Sequence, residues 1–268
     1  MHCARSRSNY SDKILKQVSV KVSYIIITWN GLPLLKRLLG SMSVQMKRTD
    51  VEVIVVDNGS EDGSTDYIRT EYPTIRLIEN PENKGVAYAR NRALEVAEGK
   101  YLFILDNDIV INDTAVEGME RYMDENEDAG LCGCKLTGTD GEIQESCKPY
   151  PGMMIKVRNV VLPDRRTFYY KEKMNGEPFE PVYVIGACQM IRRETLETVG
   201  LLDENIFYGP EDADYCLRVS KAGWKVMYLP QFTMQHLCQR KTTKKPFSPL
   251  GRKHIKALMY FYWKYKKL

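Results

Sequence analysis

From Val22 onward, apolar runs alternate with stretches of helical periodicity. Val22 to Ile27 is an almost continuous apolar run, the pattern of a strand covered on both faces. Leu32, Leu35, Leu39 and Met42 then recur at helical spacing. Val51 to Val56 predicts a second buried strand, Ile75 to Ile78 a third and Tyr101 to Leu105 a fourth. Val86, Ala89, Ala93 and Ala97 mark a helix whose small side chains allow close packing on a sheet. Alternation of this kind predicts an α/β fold with a mainly parallel central sheet and helices on both faces.

Between Leu131 and Arg193 the pattern turns irregular. Asp140-Gly141 reads as a tight turn between two strands. Val182 to Ile191 reads as a strand interrupted at Gly186-Ala187, where a ligand or another backbone approaches closely. Glu211-Asp212 opens a helix with Ala213, Cys216, Leu217 and Ser220 on one face, and Trp224 to Leu229 is a final strand closed by Pro230. No internal repeat or low-complexity segment is found.

In open α/β sheets ligands bind beyond the carboxyl ends of the strands. Polar clusters fall there three times: Thr28-Trp29-Asn30, Asp57-Asn58-Gly59-Ser60 and Asp106-Asn107-Asp108. The last presents two carboxylates on a rigid support. Hard oxygen ligands of this kind suit Mg²⁺ or Mn²⁺, which take one or two carboxylates and complete their shell with water and phosphate. Glu211-Asp212 lies at a helix start, where the dipole keeps a carboxylate ionised. Spacing leaves two roles open for this pair, a complement to the helix terminus or a general base. Asp214 and Arg218 form a plain i,i+4 pair. His236, one of three histidines, reads from spacing alone as an ordinary core or surface residue.

Composition narrows the class without naming it. At 268 residues with 43% hydrophobic and 28% charged residues, the chain suits a globular protein with one sizeable core. No apolar run approaches the roughly 18 residues of a membrane span. The first residues lack the apolar stretch of a signal peptide. Seven cysteines in no regular framework suit a reducing compartment, so a cytoplasmic location is expected. Cys132 and Cys134 read as small buried strand residues rather than metal ligands. The net charge of +4 is unevenly spread: no acidic residue follows Asp214, while 13 Lys and Arg do. The basic end, where Arg252 to Lys256 leads into the apolar and aromatic run from Ala257 to Trp263, predicts peripheral contact with the inner face of an anionic membrane. The competing reading packs Tyr260 to Trp263 onto the domain. Nucleic-acid binding has no supporting module, and no G-x-G-x-x-G follows the first strand, which argues against a dinucleotide.

Taken in order, these segments resemble the family 2 glycosyltransferases, inverting enzymes of the GT-A fold. The resemblance runs from about Val20 to His236. It rests on IIITWN at 25–30, VVDNGSEDGS at 55–64, NKGVAYARN at 83–91, LDND at 105–108, Gly186-Ala187-Cys188, and YGPEDADYCLR at 208–218 with His236 beyond. It implies one nucleotide-diphospho-sugar-binding domain over 20–237, after an N-terminal extension (1–19) and before a basic, aromatic tail (238–268). It also implies roles. Trp29 packs on the nucleobase and Asp57 hydrogen-bonds it, with Thr28, Asn30, Asn58 and Ser60 beside them. Asn83, Lys84, Gly85 and Arg90 line the nucleotide. Asp106 lies near the ribose and metal, and Asn107, Gly186 and Ala187 border the donor. Asp108 is the direct metal ligand, supported by Asp106 and completed by His236. Asp212 is the catalytic base, with Glu211 in support. The implied partners are a UDP- or dTDP-sugar and a glycan or lipid-linked acceptor.

Asn107 stands where many relatives carry a small or acidic residue, and Trp29 replaces the commoner tyrosine, which preserves stacking. Gly141-Glu142-Ile143-Gln144 and the aromatic C-terminus are most similar to rhamnosyltransferase-type members of bacterial surface-polysaccharide pathways. Two rival classes share parts of this pattern. A sugar-phosphate nucleotidyltransferase would carry a Gly-rich loop with Arg and Lys after the first strand, where Thr28 to Pro33 stands instead. A non-catalytic nucleotide-sugar-binding protein would need neither the base nor the acidic pair.

Overall fold

The computed structural model describes residues 20–150, 152, 168–237 and 248–265. Four strands, β1 (Val22–Thr28), β2 (Val51–Asp57), β3 (Arg76–Glu79) and β4 (Tyr101–Asp106), pair in parallel in the order β3-β2-β1-β4. Short β5 (Ile109–Val110) follows the turn after β4. The sheet continues through β6 (Ala129–Thr137), β10 (Cys188–Arg192) and β11 (Lys225–His236), so that the full order is β3-β2-β1-β4-β10-β6-β11-β5. β10 and β5 run against their neighbours, making the sheet mainly rather than wholly parallel. A ninth strand, β7 (Ile143–Gln144), pairs with the end of β6 across the expected turn, where Gly141 takes a φ of 80°. A small hairpin joins β8 (Cys147–Lys148) to β9 (Tyr183–Val184).

Strand alternation divides the core into two layers. Tyr24, Ile26, Val53, Val55, Phe103 and Leu105 face α1 (Leu32–Ser41), α2 (Ser64–Glu71) and α4 (Asp113–Glu125). Ile25, Ile54, Val56, Leu102 and Ile104 face α3 (Val86–Leu94), α5 (Arg193–Val199), α6 (Glu211–Lys221) and α7 (Pro249–Lys264). Cys132 and Cys134 are buried on β6, as their alternation with small residues implied. Ala87, Ala89 and Ala93 are fully buried and let α3 lie close to β1 and β2.

The last strand departs from expectation. It does not close at Pro230 but runs on to His236. Its pairing with β6 slips between Leu229 and Thr233, and Pro230 falls within that irregularity, where its missing N–H costs no ladder bond. The C-terminal run is also resolved by the fold: Ala257 and Phe261 join the second core layer, while Met259 and Trp263 stay exposed. Residues 1–19 and 238–247, named above as extension and part of the tail, lie outside the described residues.

Candidate functional site

All the sequence-expected residues gather along the carboxyl edge of the parallel strands, in two groups. The first follows β1 and β2. Asp57 is buried; its Oδ2 accepts from the backbone N–H of Gly59 (3.2 Å) and Ser60 (2.8 Å), while its Oδ1 is buried without a hydrogen-bond partner. A buried carboxylate oxygen left unpaired is costly and points to a donor that arrives with a ligand. Asn30, at a φ of 47°, is pinned to the second turn: its N–H donates to Ser60 Oγ, and its side-chain oxygen accepts from Glu61. Trp29, next to it, is 43% exposed, a large apolar ring at the rim. Asn58 ties the turn to the next segment, donating to Asn83 Oδ1 and Gly85 O and accepting from Lys84 N–H. Gly85 has a φ of 101°, and a β-carbon there would meet Phe207 O at 2.5 Å, so only glycine allows this approach.

The second group is built around Arg90, which is fully buried on α3. Its guanidinium donates to Asp106 Oδ1 (2.7 Å), Glu211 Oε1 (3.1 Å) and Gly186 O (2.8 Å). The interruption at Gly186-Ala187 is a junction. Gly186 N–H donates to Asp212 Oδ2 (3.2 Å) and Ala187 O accepts from Asp106 N–H (3.0 Å). A β-carbon on Gly186 would lie 2.6 Å from the Arg90 guanidinium. Glu211 and Asp212 open α6 together but sit differently: Glu211 is buried, whereas Asp212 keeps partial access to solvent. Burial pushes the Glu211 carboxyl up to about 7, the neighbouring Asp212 adding to the shift and Arg90 opposing it. Desolvation also raises the Asp106 carboxyl above its ordinary value; Arg90 pulls against that shift and Asp108 adds to it. Asn107 joins the two groups, donating to Thr28 Oγ1 at 3.1 Å.

Asp106, Asp108 and His236 place three potential ligand atoms within 4.8 Å of one another. Asp108 Oδ1 is buried without a hydrogen-bond partner and lies 3.3 Å from His236 Nε2. Gln144 explains the ring's orientation. Its amide nitrogen donates to His236 O (2.8 Å), which turns its amide oxygen toward His236 Nδ1 at 2.7 Å. Nδ1 therefore donates, and in the neutral ring Nε2 turns its lone pair toward Asp108. A carboxylate oxygen and an imidazole nitrogen at this separation, beside a second carboxylate on Asp106, fit a divalent cation, and an imidazole oriented through its other nitrogen is the usual arrangement at metal sites.

Sequence reading missed Gln144 as a site residue. It also missed the segment from Asp203 to Phe207, which packs between Gly85 and α7. The signal for Gln144 was weak because β7 is two residues long and its place depends on pairing with β6. The extension of β11 past Pro230 brings His236 beside Ile109 of β5, and so to Asp108.

A curled, mainly parallel sheet with these groups on its carboxyl edge is the architecture of the GT-A glycosyltransferases. The chain belongs to glycosyl transferase family 2, whose family model matches residues 23–200. It is 28% identical over 249 residues to the N-acetylglucosaminyl-diphospho-decaprenol L-rhamnosyltransferase of Mycobacterium tuberculosis (strain H37Rv), covering 86% of this chain and 80% of that protein. It is 29% identical over 224 residues to the dTDP-rhamnosyl transferase RfbF of Shigella flexneri, covering 82% and 70%. Among solved structures, the mannosyltransferase PcManGT from Pyrobaculum calidifontis, in complex with GDP-Man and Mn²⁺, shares the fold at a TM-score of 0.60 and 21% identity, covering 89% of this chain and 64% of that one. The expected family and fold are thereby established, and the chain is a nucleotide-sugar-dependent glycosyltransferase of polysaccharide synthesis.

Proposed function

We propose that the enzyme transfers a sugar with inversion from a dTDP- or UDP-sugar to a hydroxyl of a lipid-linked or glycan acceptor, with rhamnose as the first sugar to test. The observation that carries this reading is the convergence of Asp212 and the Asp106–Asp108–His236 group on Gly186-Ala187. Similarity to two rhamnosyltransferases, one named for a decaprenol-linked substrate, supports the choice of donor and acceptor. A divalent cation held by Asp108, Asp106 and His236 would offset charge on the departing diphosphate.

In this reading Asp212 is the base. It has solvent access, and Gly186 N–H holds one of its oxygens, while Glu211 is turned inward onto Arg90. Asp212 accepts the proton of the acceptor hydroxyl as that oxygen bonds to the anomeric carbon. The carbon–oxygen bond to the diphosphate breaks on the opposite face, and the nucleoside diphosphate leaves. Trp29 and the unpaired Asp57 Oδ1 serve the nucleobase, and Asn58, Asn83, Lys84 and Gly85 the rest of the nucleotide. Arg90 acts through Asp106 and Glu211, as a positioning residue.

Radiolabelled transfer from dTDP-rhamnose to a polyprenyl-diphosphate sugar tests the proposal. Asp212→Asn is expected to lower turnover by about 10²–10⁴-fold, with nucleotide affinity in calorimetry changed by less than roughly twofold. Asp108→Ala, or chelation of the wild type, is expected to remove the metal-dependent part of nucleotide binding. Near-normal turnover in Asp212→Asn moves the base elsewhere, and unchanged nucleotide binding after chelation overturns the metal role.

A further inference from the structure

Helix α7 carries two unlike faces. Ser248 caps it, accepting from Gly251 N–H, with Pro249 in the first turn. Its inner face buries Ala257 and Phe261, and Phe261 packs against the rings of Tyr150 and Tyr265. The same side grips the segment leading to Glu211-Asp212. His254 Nδ1 lies 2.9 Å from Tyr208 O, and Lys253 Nζ stands 3.8 Å over the Phe207 ring. The Tyr260 hydroxyl donates to Asp203 (2.9 Å), and Lys264 bridges Asp203 (2.7 Å) and Asp214 (2.6 Å).

The outer face is different. Ile255, Met259 and Trp263 follow one another at i, i+4 and i+8, so they share one side of the helix. They are 42%, 69% and 63% exposed, three of the five exposed large hydrophobic residues among the described residues. Arg252 and Lys256 flank them, both exposed, and no acidic residue occurs anywhere after Asp214. An apolar stripe ending in tryptophan, with the exposed cations Arg252 and Lys256 beside it, is complementary to an anionic lipid surface, where indole prefers the headgroup level. Among the described residues no helix is long and apolar enough to cross a membrane, so the fit is to lying in the interface.

We propose that α7 docks the enzyme on an anionic bilayer, with Ile255, Met259 and Trp263 seated at the boundary of headgroups and acyl chains and Arg252 and Lys256 on lipid phosphates. The proposal deepens the reading of a lipid-linked acceptor and rests on it for its purpose, though not for its geometry. A helix with its side chains is about 10 Å across. The segment from Asp203 to Gly209, on the inner face, is thus held about one helix diameter from the surface that the outer face touches. An acceptor whose sugar projects from the membrane on a diphosphate would meet the catalytic edge at that height.

The test is co-sedimentation of the full chain with vesicles of phosphatidylglycerol and phosphatidylcholine, compared with phosphatidylcholine alone. The wild type is expected to pellet with the anionic vesicles, less so as salt rises. Met259→Ser/Trp263→Ser and Arg252→Gln/Lys256→Gln are each expected to weaken partitioning by about tenfold or more. The substituted side chains are exposed, so thermal melting and turnover of a short, water-soluble acceptor should stay at the wild-type level. Equal partitioning of variants and wild type overturns the proposal. So does a dimer in lipid-free sedimentation velocity that Met259→Ser/Trp263→Ser abolishes, since the stripe would then belong to a second copy. Loss of vesicle binding in the variants, in an enzyme that uses only soluble acceptors, leaves the docking surface standing and removes the lipid-linked substrate instead.

Discussion

On the side proposed for the nucleotide, the site is made of turns that directly follow their strands. Asp57 is held by the N–H groups two and three residues on, and Asn30 by the adjacent turn at Ser60 and Glu61. On the side proposed for metal and acceptor, Arg90, Asp106, Gly186, Asp212, Gln144 and His236 come from α3, β4, the β9–β10 junction, α6, β7 and β11. The hydrogen bonds that link them to one another and to Glu211 span 16 to 121 residues of sequence. The first side positions its groups through local backbone geometry, and a change there should alter affinity while leaving the fold intact. The second side binds its chemistry into the stability of the domain, because its organising cation is buried between two carboxylates.

Arg90→Met presses hardest on this contrast. Removing the guanidinium strips Asp106 and Glu211 of their buried partner, at a cost of about 3–5 kcal/mol. Denaturant unfolding followed by circular dichroism should show a loss of that size, and a loss below about 1 kcal/mol would mean that Asp106 and Glu211 do not depend on the guanidinium. Trp29→Ala is the counterpart on the nucleotide side. It should weaken nucleoside diphosphate binding by about 1–3 kcal/mol, the worth of stacking on a base, with the unfolding midpoint unchanged. Equal affinity in calorimetry would take Trp29 out of the base site.

A further effect is one of pH. Burial raises Glu211 from its ordinary 4.5 to about 7, so the folded state holds this proton more tightly than the unfolded chain. The stabilisation is complete below pH 4.5 and is lost as the pH rises through 7. Glu211→Gln, which cannot ionise, should flatten the fall in unfolding free energy across that window. An unchanged slope would assign the dependence to another group.

How much of this was legible beforehand follows the same division. The strands β1, β2 and β4, the helix bearing Arg90, and the three polar turns were readable because each depends on residues near it in sequence. Hydrophobic runs define a buried strand, and a strand end in this class of sheet defines where ligands gather. The break at Gly186-Ala187 was visible as a place of close approach, though not what approaches. The end of β11 was misplaced because Pro230 ordinarily closes a strand. Its tolerance depends on a register slip against β6, a property of the partner strand as much as of the proline. Likewise, spacing alone could not raise His236 above an ordinary histidine.

The C-terminal helix draws the line most clearly. The sequence by itself determined that this end is basic, apolar and free of acid after Asp214, and it determined the local chemistry of Asp57, Asp106, Asp108 and Asp212. Only the tertiary structure decided that Phe261 turns into the core while Met259 and Trp263 turn out, and that Gln144 and Asp108 flank His236. Helical and strand periodicities say which residues share a face. Which face is covered depends on elements tens of residues away, and so on the packing of the whole sheet.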